Sequence, residues 1–381
     1  MIRTFCVVLL TFALTLAPFE GHGLQATPAP GCPAGWYPAV GAIGVNTGDV
    51  QWFKCSPFET WRTVPGTSEE LVLVHETSPD FHQVLALDPV DGSEYWRKQT
   101  ARIPYAPGQF DGAGVVLLPV GDRVSPALIG VEHKTGKELW RIESAEIPLA
   151  HSATVAVIGD SDLLTGPVPV RAIDRMTGEE RWASEVLFSD LSGASVGRSP
   201  VVMLGDIVVV PTGDTISALD VETGALLWTA PHLSFLTAAD HAGVIVGVEG
   251  GDRPGAKLVA LNAASGERLW SARGGASYGG LLAVGDGIVV VLNGSRSEMV
   301  AYELATGNER WRGALSSRVE PQMVVGTLVV ALWEGQLSVL STADGSVTWS
   351  TILPFGAPWM NSVGANGNVV VVAINSRPWS D

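Results

Sequence analysis

An eleven-residue segment recurs along the chain and constrains its fold more than any other feature of the sequence. It ends in tryptophan, carries glycine four residues earlier, and is clearest as ALDVETGALLW at 218–228. The eight tryptophans are Trp52, Trp96, Trp140, Trp182, Trp228, Trp270, Trp311 and Trp349. Their mean step is about 42 residues, which lies within the periods typical of propeller blades.

The residues of this segment have separate physical roles. A Thr-Gly or Asp-Gly pair, as in Thr223-Gly224, predicts a tight turn in which glycine takes a positive φ at little steric cost. The first position is small in seven copies: Ala42, Ala86, Gly130, Ala172, Ala218, Ala260 and Ala301. This leaves room for a tryptophan that lies flat between its own blade and the next. Val339 and Ser341 break the pattern in the last copy, so that interface is expected to be the least regular.

The segments between the copies indicate an all-β protein. One unit contains predicted strands at 243–249, 256–262 and 267–273, and a fourth, weaker strand at 277–285. Helical periodicity is absent. The prediction is an eight-bladed β-propeller of four-stranded antiparallel blades.

The two ends of the chain are complementary. The first copy, at 42–52, has almost nothing before it that could form two inner strands, whereas 361–375 contains two such strands with no copy after them. We therefore predict that N- and C-terminal strands share the eighth blade and close the ring, which covers edges that would otherwise pair with other chains.

The N-terminal region has the layout of an export signal. Residues 1–26 are predicted to be a signal peptide with an apolar run at 5–17, which predicts a secreted or cell-envelope protein. An uncleaved signal anchor is the alternative. The remaining organisation is an irregular lead-in at 27–38, one propeller domain at 39–375 and a tail at 376–381.

The three cysteines fit an exported protein. Cys6 lies in the signal segment, and a disulfide is expected between Cys32 and Cys55. The alternatives are two free thiols, or a lipid anchor on Cys32, although the preceding residues resemble a lipobox poorly.

The chain is acidic, with a net charge of −16. Such a field disfavours nucleic acid as a partner. An unidentified protein or small ligand is the expected partner of a monomer, and membrane contact is expected only through an uncleaved signal or a lipid anchor.

The pattern Ala-x-Asp-x-x-Thr-Gly-x-x-x-Trp resembles the tryptophan-docking motif of the quinoprotein, or PQQ-type, β-propellers, over about residues 39–375. The resemblance implies eight blades around a central funnel. One branch of that family binds pyrroloquinoline quinone (PQQ) and calcium and oxidises alcohols or sugars. The other branch, which is BamB-like, is non-enzymatic and binds partners in the envelope.

Two features favour the non-enzymatic branch. The chain lacks the adjacent cysteines that alcohol-oxidising members carry beside the cofactor, and its blades are close to minimal length. We therefore expect a binding scaffold without a cofactor. A PQQ- and calcium-dependent dehydrogenase is the first alternative, and a BamB-like envelope assembly factor is the second.

Other catalytic signatures are absent from the sequence, so no catalytic, cofactor-binding or metal residue is assigned. His75 and His82 are interpreted as a chance surface pair, and Asp160-Ser161-Asp162 as a solvated turn. Asn293 begins a glycosylation sequon that matters only in a eukaryotic source.

The candidate binding residues come from the geometry of propellers. Segments that enter the innermost strands line one mouth of the funnel, where arginines and aromatic residues would bind an anionic group or a peptide. These residues are Trp61, Arg62, Gln109, His151, Arg198, Tyr278, Arg318, Glu320, Trp359 and Asn361.

Overall fold

The structure is a computed structural model whose described elements are β-strands. It describes residues 37–56, 61–78, 81–101, 114–121, 125–160, 168–188, 201–239, 243–250, 255–273, 282–292, 298–314, 320–333, 336–353 and 362–373. No helix within these ranges is long and apolar enough to cross a membrane.

The strands of the first four blades follow the chain from the inside of each blade to the outside. The first blade contains β3 (Trp61–Thr67), β4 (Val72–Thr77), β5 (His82–Leu87) and β6 (Glu94–Gln99). The second contains β7 (Val115–Val120), β8 (Ala127–Glu132) and β9 (Glu138–Ile142), which are its three described strands. The third contains β10 (Glu146–His151), β11 (Val155–Asp160), β12 (Val168–Asp174) and β13 (Glu180–Phe188). The fourth contains β14 (Val202–Leu204), β15 (Ile207–Pro211), β16 (Thr215–Asp220) and β17 (Leu226–Pro231).

The next three blades repeat this order. The fifth contains β18 (Ser234–Ala239), β19 (Val244–Glu249), β20 (Lys257–Asn262) and β21 (Arg268–Arg273). The sixth contains β22 (Ala283–Gly285), β23 (Ile288–Leu292), β24 (Glu298–Glu303) and β25 (Glu309–Ala314). The seventh contains β26 (Glu320–Val325), β27 (Leu328–Trp333), β28 (Gln336–Ser341) and β29 (Val347–Ile352).

The eighth blade joins the two ends of the chain. It contains β30 (Ser362–Ala365) and β31 (Val369–Ala373) from the C-terminal end, and β1 (Tyr37–Gly44) and β2 (Val50–Ser56) from the N-terminal end. β1 pairs antiparallel with β31, with Ala42 opposite Val371. The predictions of an eight-bladed propeller and of its mode of closure are confirmed.

One strand belongs to a different blade from the one expected. The segment 277–285 was predicted to be the fourth strand of the unit at 243–273. Within it, β22 pairs with β23 and begins the sixth blade. The fourth strand of the fifth blade is instead β18, which precedes that unit, because each blade starts with its innermost strand.

The motif tryptophans connect each blade to the next. Each indole Nε1–H donates to a backbone carbonyl in the last turn of the following blade, at 2.7–2.9 Å. The accepting residues, in order from Trp52, are Pro89, His133, Arg175, Val221, Ala263, Leu304, Thr342 and Val45. The bond from Trp349 to Val45 therefore connects the seventh blade to the eighth across 304 positions of sequence.

The motif glycine has two functions, of which the sequence indicated one. Gly224 has a φ of 70°, as the turn requires. A Cβ on Gly224 would also lie 2.6 Å from the ring of Trp182, so the ring packs flat on the glycine of the next blade. The other motif glycines have the same relation to the preceding tryptophan.

The core lies between the blades, in eight clusters that each span one interface. Six motif tryptophans are at most 9% exposed, whereas Trp228 and Trp349 are half-buried. The copy with Val339 keeps its indole hydrogen bond at 2.8 Å. A Cβ on Gly48 would lie 3.0 Å from the ring of Trp349, against 2.6–2.7 Å at the other seven interfaces, so the packing of this ring differs from the rest, as expected.

Cys55, in β2, is disulfide-bonded. Its predicted partner Cys32 lies outside the described residues, as do Cys6 and the predicted signal peptide, so the Cys32–Cys55 pairing stays a prediction.

We predict that Gly224→Ala destabilises the protein by about 2 kcal/mol, because alanine is strained at this φ and its Cβ would contact the ring of Trp182. The matched control is Gly313→Ala in β25, where a Cβ would meet no atom within 4 Å. Urea unfolding measures both. Equal stabilities for the two variants would contradict the packing of the ring on the glycine.

Candidate functional site

The structure describes only part of the predicted funnel site. The backbone of Trp61 and Arg62 lies in β3, Glu320 begins β26, and His151 ends β10. The other predicted residues lie outside the described ranges: Gln109, Arg198, Tyr278, Arg318, Trp359 and Asn361.

His151 does not lie where the sequence placed it. It was expected to enter an innermost strand, but it is the last residue of β10. Only three residues separate β9 from β10, so the strand begins earlier, at Glu146. Because the innermost strands of a propeller all run in the same direction, His151 lies at the opposite end of the ring from Trp61 and Glu320.

The end of the ring that carries His151 is formed by two sets of turns, which we call the turn face. It consists of the turns that join strand one to strand two, and strand three to strand four, of each blade. The second set contains the motif glycines. The residue that accepts the indole hydrogen bond occupies one position in that set, and its side chain points between the blades.

This accepting position is buried and mostly apolar, with three polar exceptions. Val45, Val221, Ala263 and Leu304 are 2–3% exposed. Arg175, at 0% exposed, is the only lysine or arginine at this position in the eight copies. His133 and Thr342 are the other polar residues there. Comparing this one position across the eight copies would have revealed all three from the sequence.

Arg175 lies between the second and third blades and donates to backbone carbonyls of both. Its Nε and Nη2 lie 3.2 and 2.5 Å from the carbonyl oxygen of Val115, and its Nη1 lies 2.8 Å from that of Ser152. The same Nη1 is 3.4 Å from Nδ1 of His151. A buried guanidinium held this way fixes two blades relative to each other, since carbonyl oxygens are its hydrogen-bond acceptors.

His133 and Thr342 also reach the first turn of the preceding blade. His133 Nε2 lies 3.1 Å from Glu70 Oε2, and Lys134 Nζ lies 3.2 Å from the same oxygen. Hydrogen bonds from Lys134 and then from His133 lower the pKa of the Glu70 carboxyl. The Thr342 hydroxyl donates to Asp286, a non-glycine residue with a φ of 48°.

His75 and His82 are expected on the surface from the sequence, but the structure places them elsewhere. Both residues are half-buried on neighbouring strands of the first blade, where the Thr77 hydroxyl hydrogen-bonds Nδ1 of His82. Burial, and then the nearby charge of His82, lower the pKa of His75 to about 4. The His75 imidazole is therefore neutral at physiological pH.

The turn face carries a strong excess of acidic side chains. Its described carboxylates are Asp49, Glu69, Glu70, Asp88, Asp91, Glu132, Asp174, Glu179, Asp206, Asp220, Glu222, Glu267, Asp286, Glu303 and Asp344. Its described cationic side chains are Lys134, Lys137, Arg175 and Arg181, of which Arg175 is buried and Arg181 bonds Asp174 and Glu222. Among the described residues, carboxylates thus outnumber cations by fifteen to four at this end of the ring.

Several of these carboxylates also build the turns. Asp220 Oδ1 accepts hydrogen bonds from the backbone N–H groups of Glu222 and Thr223, and the Thr223 hydroxyl and backbone lower the Asp220 pKa. Others are free of such bonds. Within the described ranges, Asp49, Glu69 and Glu267 are exposed and form no ion pair.

The described part of the chain contains no group of three or more His, Cys, Asp or Glu side chains positioned to hold a metal ion. The described residues define an extended anionic surface over polar contacts between blades.

These features define the class of protein as an eight-bladed β-propeller whose blades are joined by tryptophan-to-carbonyl hydrogen bonds. The profile of one family, outer membrane protein assembly factor BamB, matches residues 39–167, 126–275, 166–323 and 254–358. The chain belongs to this family. No curated protein matches the chain significantly.

Solved structures with similar folds include the computationally designed Ika8 protein, at 17% identity and a TM-score of 0.59, covering 83% of this chain and 97% of that one. BamB from Moraxella catarrhalis has 16% identity and a TM-score of 0.50, with 92% and 96% covered. Quinohemoprotein alcohol dehydrogenase ADHIIG from Pseudomonas putida has 12% identity and a TM-score of 0.51, with 85% and 77% covered. At these identities the likeness shows the fold alone.

We predict that Arg175→Met destabilises the protein by about 2–4 kcal/mol, since the carbonyls of Val115 and Ser152 lose a buried donor. Arg141→Met is the control, because Arg141 is exposed and bonds Glu138 at the surface, a contact worth under about 1 kcal/mol. Denaturant unfolding compares the two. A cost at Arg175 no larger than that at Arg141 would contradict its role between the blades.

We also predict that stability falls as the pH is lowered from about 6.5 to about 4. The pKa of His75 is near 4 in the folded protein and near 6.5 when unfolded, so the unfolded chain binds the extra proton in this range. The loss reaches up to about 3 kcal/mol. His75→Gln should flatten this pH dependence, measured by urea unfolding at each pH. An unchanged slope in His75→Gln would refute the assignment.

Proposed function

We propose that this protein is an exported, non-catalytic propeller that binds protein partners in the cell envelope through its turn face. The observation that carries the proposal is the asymmetry of charge, with fifteen described carboxylates and four cations at one end of the ring. Such a surface attracts basic partners, speeds their association and repels acidic ones.

The way the blades are joined supports binding by a preformed surface. Every turn of the second set contains both the glycine on which a tryptophan packs and the carbonyl that accepts its hydrogen bond. The carboxylates on those turns are therefore held in fixed positions relative to one another. A preorganised surface loses little conformational entropy on binding, which favours affinity.

The family supports the location and the kind of partner. Its name describes a factor of outer membrane protein assembly. Together with the export signal predicted at 1–26, this favours an extracytoplasmic protein that works by contact with other envelope proteins, and an assembly role is the narrower form of the same proposal.

The alternative function is oxidation of an alcohol or sugar with PQQ and calcium. Proteins with that activity share the fold, as the quinohemoprotein alcohol dehydrogenase shows. Incubating the purified protein with the quinone and calcium, and then measuring reduction of a dye by alcohols and sugars, tests it. Turnover would establish the dehydrogenase and overturn the proposed function.

We predict that reversing three charges on the turn face weakens partner binding. In the variant Asp49→Lys, Glu69→Lys, Glu267→Lys, each carboxylate is exposed and makes no described ion pair, so folding should be little affected. Capture of envelope proteins on immobilised protein, quantified by mass spectrometry, should fall on the order of tenfold for the partners of the unaltered chain. Raising the salt concentration should have a similar effect.

The matched control reverses three charges away from the turn face: Glu143→Lys, Glu185→Lys and Asp214→Lys. It changes the net charge by the same amount and should leave the captured proteins unchanged. If both triple variants lose them equally, or neither does, the turn face is not the binding surface.

A further inference from the structure

The outer strand of each blade has one edge that is unpaired within the described residues, and six of these eight edges carry charged side chains. The charged residues are Lys54 in β2; Glu94, Arg97 and Lys98 in β6; Glu138 and Arg141 in β9; Glu180, Arg181 and Glu185 in β13; Arg268 and Arg273 in β21; and Glu309, Arg310 and Arg312 in β25. Charged residues on an edge strand oppose pairing with another chain.

β17 and β29 are the two outer strands without any charge. They are also the strands whose motif tryptophans, Trp228 and Trp349, are half-buried while the other six are buried. β17 ends in Pro231, which cannot donate a hydrogen bond and so weakens that edge as a template for pairing.

β29 has no such protection. Its sequence, VTWSTI, contains five β-branched or aromatic residues in six, with no proline and no glycine. That composition is typical of segments that pair readily with other strands. Val347 is 54% exposed and Ile352 is 79% exposed.

The edge is held in a defined geometry. β28 pairs with β29 in register from Gln336 opposite Ile352 to Leu340 opposite Val347, with one irregularity beside Val339. Ser350 Oγ is bonded to Ser338 and Gln336, and Trp349 is anchored to Val45 of the eighth blade. The unpaired side of β29 therefore presents fixed backbone donors and acceptors, which is the requirement for strand addition.

We propose that the free edge of β29 binds an extended segment of a partner protein as a fifth strand of the seventh blade. The segment would have β-branched residues at its centre and lysine or arginine at its ends. This rests on the proposed function, in that it assigns a second contact surface to the same binding protein.

The charge around β29 indicates the kind of segment that would bind there. Residues 320–352 contain no lysine or arginine, and Asp344 lies in the turn that leads into β29. A cationic segment is therefore attracted to the edge. A second copy of this chain would bring another net charge of −16, and that repulsion disfavours a homodimer through β29.

The experiment uses a synthetic nine-residue peptide of alternating valine and threonine with two lysines at each end, and the full mature chain. Binding is followed by fluorescence anisotropy, and hydrogen exchange locates it. We expect saturable binding with slowed exchange of the β29 amides. The variant Thr348→Lys, Ile352→Lys should lose on the order of tenfold in affinity, because lysines on the edge oppose pairing and repel the peptide. Leu226→Lys, on β17, should bind as the unaltered chain does.

A second probe does not depend on the variant folding. The same peptide with the amides of all its valine and threonine residues N-methylated keeps its charge and side chains but has no central amide donor on either edge, so it should not bind. Binding of the methylated peptide, equal binding by Thr348→Lys, Ile352→Lys, or protection at any strand other than β29 would overturn the proposal.

The outcome separates this proposal from the proposed function. If the peptide does not bind β29 but envelope proteins are still captured through the turn face, only the strand-addition site fails. If the peptide binds β29 and no envelope protein is captured, the strand-addition site is established and the proposed function fails.

Discussion

The hydrogen bond from each motif indole to a carbonyl of the next blade is the contact on which the rest of this structure depends. It is made eight times around the ring, and the bond from Trp349 to Val45 includes the blade that the two chain ends share. Each bond contributes on the order of 1 kcal/mol, and the packed ring adds burial on the order of 200 Å². At seven of the eight interfaces a Cβ on the glycine beneath the ring would lie only 2.6–2.7 Å from it, so one residue sets both the turn and the spacing of the blades.

Much of the fold could be predicted because the residues that make this contact recur at a regular spacing in the sequence. Gly224 and Trp228 recur with their neighbours at a blade-like period, and the excess strands at 361–375 showed how the ring closes. The glycine's contact with the preceding tryptophan was not predictable in this way, because it joins different blades. His151 was misplaced for a related reason. Connections between blades vary in length. Because only three residues lie between β9 and Glu146, β10 begins earlier than a connection of average length would allow.

Two of the features described above lie where the copies differ from one another. Arg175 occupies a position that is apolar in most blades, and its burial only becomes informative once the eight copies are compared. The uncharged edge of β29 is likewise a deviation from a common pattern. The acidic turns belong in part to that pattern, since the third position of the motif supplies Asp88, Glu132, Asp174, Asp220 and Glu303. The predicted funnel residues remain a prediction, since six of the ten lie outside the described ranges.

The most direct test of the account is hydrogen exchange of the indole N–H protons, followed by NMR on protein labelled with ¹⁵N-tryptophan. The chain has thirteen tryptophans, and eight of them belong to the motif. If the tryptophan-to-carbonyl bonds hold the ring as one unit, these eight indole protons exchange slowly and lose protection together, with the free energy of global unfolding. Rapid or independent exchange at several of the eight would show that the blades are not joined by these bonds, and would contradict the account.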